Sequence, residues 1–594
     1  MRERGTSDLP PSRAYARGGS FLVRETSPAE VFTPEDFASD ELLFAKTARD
    51  FMEKEVLSVS SRLEETDLEL LVGLLRKAGE VGLLAADIPE EYGGLGLPKR
   101  AAALVLESLS GQMSFQITYI VHTGIGSLPI VYYGTHEQRR RYLPDMATGS
   151  KLGCYALTEP TAGSDALAVR TKAVLSDDGT HYVLNGTKQF ITNARIADVL
   201  IVFAKVDGQH FTAFLVDRRT PGLSLGSDEK KMGLHGSTTC SVFLEDAKVP
   251  VTDVLGEIGR GHKIAFNILN IGRFKLGAVG VGAGKRALEQ ALAYCLERKQ
   301  FGRRLAEFGA IREKLGRMYT RIYALEAATY RTVGLIDGLL LWGSDDHGEA
   351  ELRSIEEYSV ECALVKVLGS EVLDEVVDEA VQCFGGYGYC ADYPVERYYR
   401  DSRINRIYEG TNEINRMLVP TMLLRKASVG DLPLAEAFAA VGRPSPRGGG
   451  ASAPPPAGLG AAARVVGNLK ELCVHVLGLA SEKYGAGLSS QQAIQLRVAD
   501  LVLAAFLAES AWLRASKAAE RRVESSGLAT AAACVVCEEA AEKAEASARQ
   551  ALVAMGEAGA ASRLGALLER VPADTVALRE VIASRLVEAE RWVV

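Results

Sequence analysis

The hydrophobic period of this chain changes twice, and those two changes constrain its fold more than any other feature. From Thr33-Pro34-Glu35-Asp36 onward, apolar residues recur at helical spacing through Leu84, then again as far as Tyr142-Leu143-Pro144. Thr33 as cap, Pro34 at the first position and two acids in the first turn predict a helix start there. At Lys151 the pattern becomes β-rich, with runs such as Val199 to Val206 and Phe211 to Val216. Asn185-Gly186 and Asp207-Gly208 predict hairpin turns in that region. From His262 to Lys426 the helical period returns with few breakers, as in a helix bundle. The expected fold is mainly α with a central antiparallel β domain.

A further boundary lies at residues 441–462, VGRPSPRGGGASAPPPAGLGAA, a Pro/Gly/Ala linker. Beyond it, Arg464 to Val594 is Ala-rich and helical and carries no chemical constellation. The chain then divides into an arm (1–33), a helical domain (34–151), a β domain (152–261), a bundle (262–430), a linker (431–463) and an extra helical domain (464–594). A length of 594 residues excludes a single core.

Composition excludes several function classes. A net charge of -8 argues against nucleic-acid binding and gives no membrane steering. Nine scattered cysteines suit a reducing compartment, the cytoplasm of a bacterial cell or the mitochondrial matrix of a eukaryotic one. Cys534-Val-Val-Cys537 lies in a helical stretch without a second pair or a nearby His, so helix packing is the reading. The histidines have no metal-ligand spacing, and no metal is expected. No run approaches the roughly 20 apolar residues of a membrane span. The first thirty residues carry Arg2, Arg4, Arg13, Arg17 and Arg24, but Glu3, Asp8, Glu25 and Pro10-Pro11 spoil a transit-peptide pattern; a disordered or surface-draped arm is expected. Gly280, Gly282 and Gly284 before Lys285 imitate a phosphate loop, yet no strand precedes them, and close helix packing accounts for them.

The stretch richest in candidate chemistry runs from Gln382 to Glu413. Gly385-Gly386 lets backbone approach a flat ligand. Glu409, between Tyr408 and Gly410-Thr411, reads either as a general base or as a cap or solvated charge.

Five ordered motifs carry a resemblance. Tyr155-Ala-Leu-Thr-Glu-Pro-Thr-Ala-Gly-Ser164-Asp165 and Asn185-Gly-Thr-Lys-Gln-Phe-Ile-Thr-Asn193 resemble the β-domain signatures of acyl-CoA dehydrogenases. Arg298-Lys-Gln-Phe301-Gly302 resembles that family's dimer-contact motif, and Gln382 to Gly386 and Ile407 to Glu413 its C-terminal signatures. The resemblance covers about residues 35 to 427, and the added domain resembles the very-long-chain branch.

The resemblance implies FAD between the β domain and the bundle. Tyr155, Leu157 and Thr158 would face the flavin, with Gly163 and Ser164 near its pyrophosphate and the substrate. Phe190, Ile191 and Thr192 would cover the ring system, although Phe190 and Ile191 read equally as strand core. Arg298, Gln300 and Phe301 would come from a partner subunit, Gln382, Gly385 and Gly386 would hold the adenosine end, and Thr411, Asn412 and Glu413 would complete the site. Glu409 matches the base. Some branches carry the base just before an arginine matching Arg273, but Gly272 stands there. Arg273 reads as a brace for the Glu409 loop or as a structural ion pair. Ser164, Asn270, Arg273, Tyr408 and Gly410 would line the substrate.

The implied activity is dehydrogenation of medium- to long-chain fatty acyl-CoA to trans-2-enoyl-CoA, with electrons passed to an electron-transfer flavoprotein. The alternatives are an acyl-CoA oxidase and a non-catalytic assembly or scaffold protein that keeps the fold. Short-chain members are tetramers, whereas relatives with the added domain pair as dimers. A homodimer is therefore expected, with membrane contact weak or absent.

Overall fold

The computed structural model describes residues 16–340, 347–440, 456–562, 564–568 and 572–593. The first unit packs the helices Ser39–Phe51, Leu68–Glu80, Lys99–Ser108, Met113–Ile120 and His136–Thr148. Its start differs from expectation. Thr33 and Asp36 do form a reciprocal cap, with the Thr33 N–H donating to Asp36 Oδ2 at 2.8 Å, but it closes only the single turn Pro34–Asp36. Phe37 is then extended, its ring edge-on to Tyr330 at 5.0 Å, and the helix restarts at Ser39. A tertiary ring contact overrides a local start signal here.

The central unit is a sheet in the order β6-β7-β3-β2-β4-β5-β8, with β1 also on β4. The strands are β1 (Gly153–Ala156), β2 (Lys172–Leu175), β3 (His181–Thr192), β4 (Val199–Val206), β5 (His210–Asp217), β6 (Leu223–Asp228), β7 (Thr239–Pro250) and β8 (Val254–Leu255). It is not purely antiparallel: β1 and β2 both run parallel to β4. Asp207 and Gly208, both with positive φ, turn β4 into β5 as expected. Asn185-Gly186 is not a turn. It lies inside β3 at a register shift against β7, where Asn185 exchanges hydrogen bonds with Asp246 and a Cβ on Gly186 would strike Thr171.

The bundle is built on the Gly261–Glu297 helix, flanked by Gly309–Leu340 and Ser359–Phe384. Gly261–Glu297 is long and apolar enough to cross a membrane by composition, but 83% of its most apolar window is buried inside the protein, as befits a core helix. A Cβ on Gly280 would sit 2.7 Å from the Gly369 carbonyl, and Lys285 Nζ donates to Glu107 at 2.7 Å and to Glu326. The glycines therefore serve close helix packing.

The extra unit comprises Gly460–Tyr484, Gln492–Glu520, Ser526–Ala554 and Thr575–Ala589. It packs against the Gly309–Leu340 and Asn412–Ser428 helices. Buried ion pairs seal the join: Arg331 with Glu509 at 2.8 Å and Arg514 with Glu326 at 2.7 Å. All nine cysteines are free, and Cys537 packs against the Ala508 carbonyl. Within the expected linker, Leu434–Ala440 forms a helix; residues 441–455 lie outside the described residues.

Residues 16–33 are not draped over the surface. Gly18 and Gly19 donate backbone N–H bonds to Glu357 and Glu361 at 2.8 and 2.7 Å. The Phe21 ring packs tilted against Phe506 at 4.9 Å, and Lys517 Nζ donates to the Val31 carbonyl at 2.6 Å. Burial of Phe21 and Leu22 makes this segment a wedge between the bundle and the extra domain.

Candidate active site

Glu409 sits on a short loop before the Asn412–Ser428 helix, and three elements hold that loop. Thr411 caps the helix, its Oγ1 accepting from the Ile414 N–H at 3.2 Å. Asn415 Nδ2, one turn on, donates to the Gly410 carbonyl at 2.8 Å and to that of Thr411 at 3.1 Å. Arg273 Nε donates to the Glu409 carbonyl at 3.4 Å, while its Nη1 donates to Asn270 Oδ1 at 2.7 Å. From the Ser359–Phe384 helix, Lys366 Nζ donates to the Gly410 carbonyl at 2.7 Å and to Asn412 Oδ1 at 2.8 Å. Glu409 and Gly410 both take positive φ, 57° and 79°. A side chain held there is strained, and strain of this kind collects at functional sites.

Glu409 is half-buried, and its Oε2 is shielded from solvent without a hydrogen-bond partner within the chain. Burial pushes its pKa up to about 7, against the pull of Arg273 and Lys366 toward the ionised form. Burial also pushes Lys366 down to about 7. Gly272 is the floor beneath the carboxylate: a Cβ there would lie 2.5 Å from Oε2.

Glu409 lines a cavity of about 2340 Å3 between the sheet and the bundle. Tyr155, Leu157, Thr158, Gly163 and Ser164 line its sheet side. Phe190, Ile191 and Thr192 join them. The register of β3 against β7 shifts between Lys188 and Ile191, and Phe190 takes φ 59°. That bulge turns the Phe190 ring outward, 58% exposed, while Ile191 stays in the core. Asn270, Arg273, Tyr408, Gly410 and Thr411 line the bundle side.

The remaining expected residues lie elsewhere. Arg298, Gln300, Gln382, Gly385 and Gly386 line a second, smaller cavity of about 480 Å3 that shares no residue with the first. Phe301, 93% exposed, lines neither. Asn412 and Glu413 also line neither. Asn412 faces the Ser359–Phe384 helix. Its amide is used inside the protein, accepting from Lys366, exchanging bonds with Ser370 and donating to Glu371. Glu413 stands in the first turn of its helix, where backbone N–H holds its carboxylate below the ordinary range. Sequence reasoning missed Lys366, although a lysine inside Ala363-Leu-Val-Lys-Val-Leu368 signals a buried cation that needs partners.

Comparison with known proteins fits this geometry. Residues 38–150, 154–247 and 259–424 match the N-terminal, middle and C-terminal domains of acyl-CoA dehydrogenases. Residues 468–568 match a further acyl-CoA dehydrogenase C-terminal domain. A "Probable acyl-CoA dehydrogenase" of Bacillus subtilis (strain 168) is 45% identical over 592 residues, 97% of this chain and 98% of its own length. The chain belongs to the acyl-CoA dehydrogenase family. A crystal structure of an acyl-CoA dehydrogenase complexed with FAD from Bacillus anthracis superposes with a TM-score of 0.94 at 47% identity, over 97% of this chain and all of that one. A 3-(aryl)acrylate reductase of Clostridium sporogenes is 36% identical over 66% of this chain and 100% of its own length.

This acyl-CoA dehydrogenase is an FAD-dependent oxidoreductase. Its residues fit the cofactor. The Tyr155 hydroxyl is buried without a partner on the sheet side of the large cavity. Gly163, Gly385 and Gly386 have open space where a Cβ would stand, so backbone there can approach a flat ligand.

Proposed function

We propose that this enzyme dehydrogenates medium- to long-chain fatty acyl-CoA to the trans-2-enoyl-CoA, with Glu409 as base. The observation that carries this reading is the unpartnered, shielded Oε2 of Glu409 in the large cavity, with its pKa raised to about 7 by burial. A base of that affinity is matched to proton abstraction near neutral pH. The proton leaves the carbon next to the thioester carbonyl and goes to Glu409. When bound, FAD supplies the acceptor for the hydride from the adjacent carbon. Arg273, Asn415 and Lys366 fix the loop so that the carboxylate does not swing away. Ile117, Ile120, Val121, Ile125 and Leu276 give the cavity an apolar end that suits an alkyl tail.

Electrons then pass to an electron-transfer flavoprotein. The reductase relative favours a second reading, in which the same carbons are hydrogenated instead. The free thiols of this chain fit a reducing compartment, the cytoplasm of a bacterial cell or the mitochondrial matrix of a eukaryotic one. The test is anaerobic bleaching of the flavin by acyl-CoAs of graded length, followed by air or enoyl-CoA. A dehydrogenase bleaches and stays reduced in air. An oxidase releases peroxide, and a reductase is reoxidised by enoyl-CoA much faster than it is bleached by acyl-CoA. Absence of bleaching by every chain length overturns the proposal.

A further inference from the structure

The loop that carries Glu409 is tied to the extra C-terminal domain by one continuous line of hydrogen bonds. Lys366 Nζ holds the Gly410 carbonyl and Asn412 Oδ1 at 2.7 and 2.8 Å. Asn412 Nδ2 donates to Glu371 Oε1 at 3.0 Å. Arg416, one turn along from Asn412, grips Glu371 with both terminal nitrogens, Nη1 to Oε1 at 2.7 Å and Nη2 to Oε2 at 2.9 Å. Its Nε donates to Asp500 Oδ1 at 2.7 Å, and Asp500 belongs to the Gln492–Glu520 helix of the extra domain. Arg497 holds the other oxygen of Asp500 at 3.0 Å. Lys366, Ser370 and Asn412 are buried, and the outer members are partly buried.

Each junction is geometrically demanding. A guanidinium that bonds one carboxylate through two nitrogens and another through Nε has its plane fixed by both. Fixing that plane fixes Glu371, which in turn shares Oε1 with Asn412. Asn412 opens the helix whose cap, Thr411, is two residues from Glu409. Loop geometry at the base is therefore determined in part by a side chain from outside the three-domain catalytic unit.

We propose that Asp500 of the extra domain is a positioning residue for the base, acting through Arg416, Glu371 and Asn412 on the Tyr408–Thr411 loop. The proposal rests on the reading of Glu409 as the base. Removing the Asp500 carboxylate leaves Arg416 held by Glu371 alone, so that the pair can shift together, loosen Asn412 and let water reach Glu409. A shift of about 1 Å at a reacting group costs up to roughly a hundredfold in rate.

The test compares Asp500→Ala, Asp500→Asn, Arg416→Lys, Asn412→Ala and the control Lys517→Ala in the FAD-loaded full chain. Lys517→Ala weakens domain docking at Asp36, on a different line of contacts from the base loop. Asp500→Ala should slow flavin bleaching at saturating acyl-CoA about tenfold with unchanged flavin content. Its acid limb should move below pH 7 as water reaches the carboxylate. Asp500→Asn, which keeps an oxygen for Arg416 Nε, should recover most of the rate. Arg416→Lys keeps a cation between Glu371 and Asp500 but loses the fork; it should share the slow rate even if Asp500→Ala fails to fold. Combining Asp500→Ala with Asn412→Ala should cost no more than the larger single loss. Hydrogen exchange should rise at residues 404–416 in Asp500→Ala and not in Lys517→Ala. Wild-type rate and pH profile in both Asp500→Ala and Arg416→Lys, or the same defect in Lys517→Ala, would overturn the proposal. If no acyl-CoA bleaches the wild type, the functional reading fails, and the exchange comparison still decides the coupling.

Discussion

A carboxylate at 409 in this pose and any side chain at 272 exclude each other, because a Cβ on Gly272 would intrude to 2.5 Å from Glu409 Oε2. Gly272→Ala should therefore displace the base and cut bleaching about 10- to 100-fold while flavin stays bound. An unchanged bleaching rate in that variant would show that the carboxylate has another resting place. Glu409→Gln should remove about two to four orders of magnitude of the bleaching rate. The same variant reports on stability. An acid whose pKa is 4.5 unfolded and about 7 folded costs nothing below pH 4.5. The cost grows between 4.5 and 7 and is complete above 7, roughly 3 kcal/mol. Glu409→Gln should thus unfold at a higher temperature than wild type at pH 8, with the gap closing at pH 5. Thermal scans at the two pH values check it, and a gap independent of pH contradicts it. For catalysis the sign is the reverse: bleaching by wild type should rise with pH through about 7 as Glu409 ionises.

Among the elements, the hairpin of Lys299–Gln300 with Arg303–Arg304 is unusual in having little support of its own. Its turn residues Phe301 and Gly302 have φ 50° and 75°, and the Phe301 ring is left bare. An exposed aromatic at the tip of a two-stranded ribbon suits contact with a second subunit. Arg298 at its base lies over the Tyr387 ring, at 5.4 Å, and lines the second cavity. Arg298→Ala should release FAD on dialysis faster than wild type, because a guanidinium is a natural partner for a pyrophosphate. Equal flavin retention after extensive dialysis would count against that role. The period changes made the helix–sheet–helix order legible from the residues, and the loop at Glu409 followed from its motif. What was hidden depended on contacts distant in sequence. Asn185-Gly186 is a turn dipeptide locally, but pairing with Asp246 and crowding at Thr171 keep it in a strand. The 16–33 segment is Arg- and Gly-bearing and gave no apolar period, yet Phe21 and Val31 find Phe506 and Lys517 from the far end of the chain. The bonds that tie the Asn412 side chain to Ser370 and Glu371, about forty residues earlier, leave no trace in the local motif.

At the scale of the whole molecule, the flavin-site motifs fall in two cavities with no residue in common, one near Tyr155 and Phe190 and the other near Arg298 and Gly385. A twofold pairing that brings the second cavity of one chain to the first of its partner would complete two sites at once, which is the closed symmetry favoured by homo-oligomers. The extra domain meanwhile covers the Gly309–Leu340 helix, and its join contains Glu326 and Arg331, buried and paired to Arg514 and Glu509. A second dimer cannot use that face while the domain is docked. The full chain should therefore scatter light as a dimer of about 128 kDa, twice the 63.8 kDa of one chain. Because flavin would bind the paired form better than the single one, added FAD should strengthen the dimer, and dilution should release flavin and monomer together. Simple truncation near Lys426 is a poor test of what the domain blocks, since it takes Glu509 from Arg331 while Glu326 keeps Lys285, and a buried charge that loses its partner costs about 3–5 kcal/mol. Truncation combined with Arg331→Met removes that penalty and leaves the Lys285–Glu326 pair intact. A tetramer from this truncated chain, beside a dimer from the intact one, supports the covering role; a tetramer from the intact chain contradicts it.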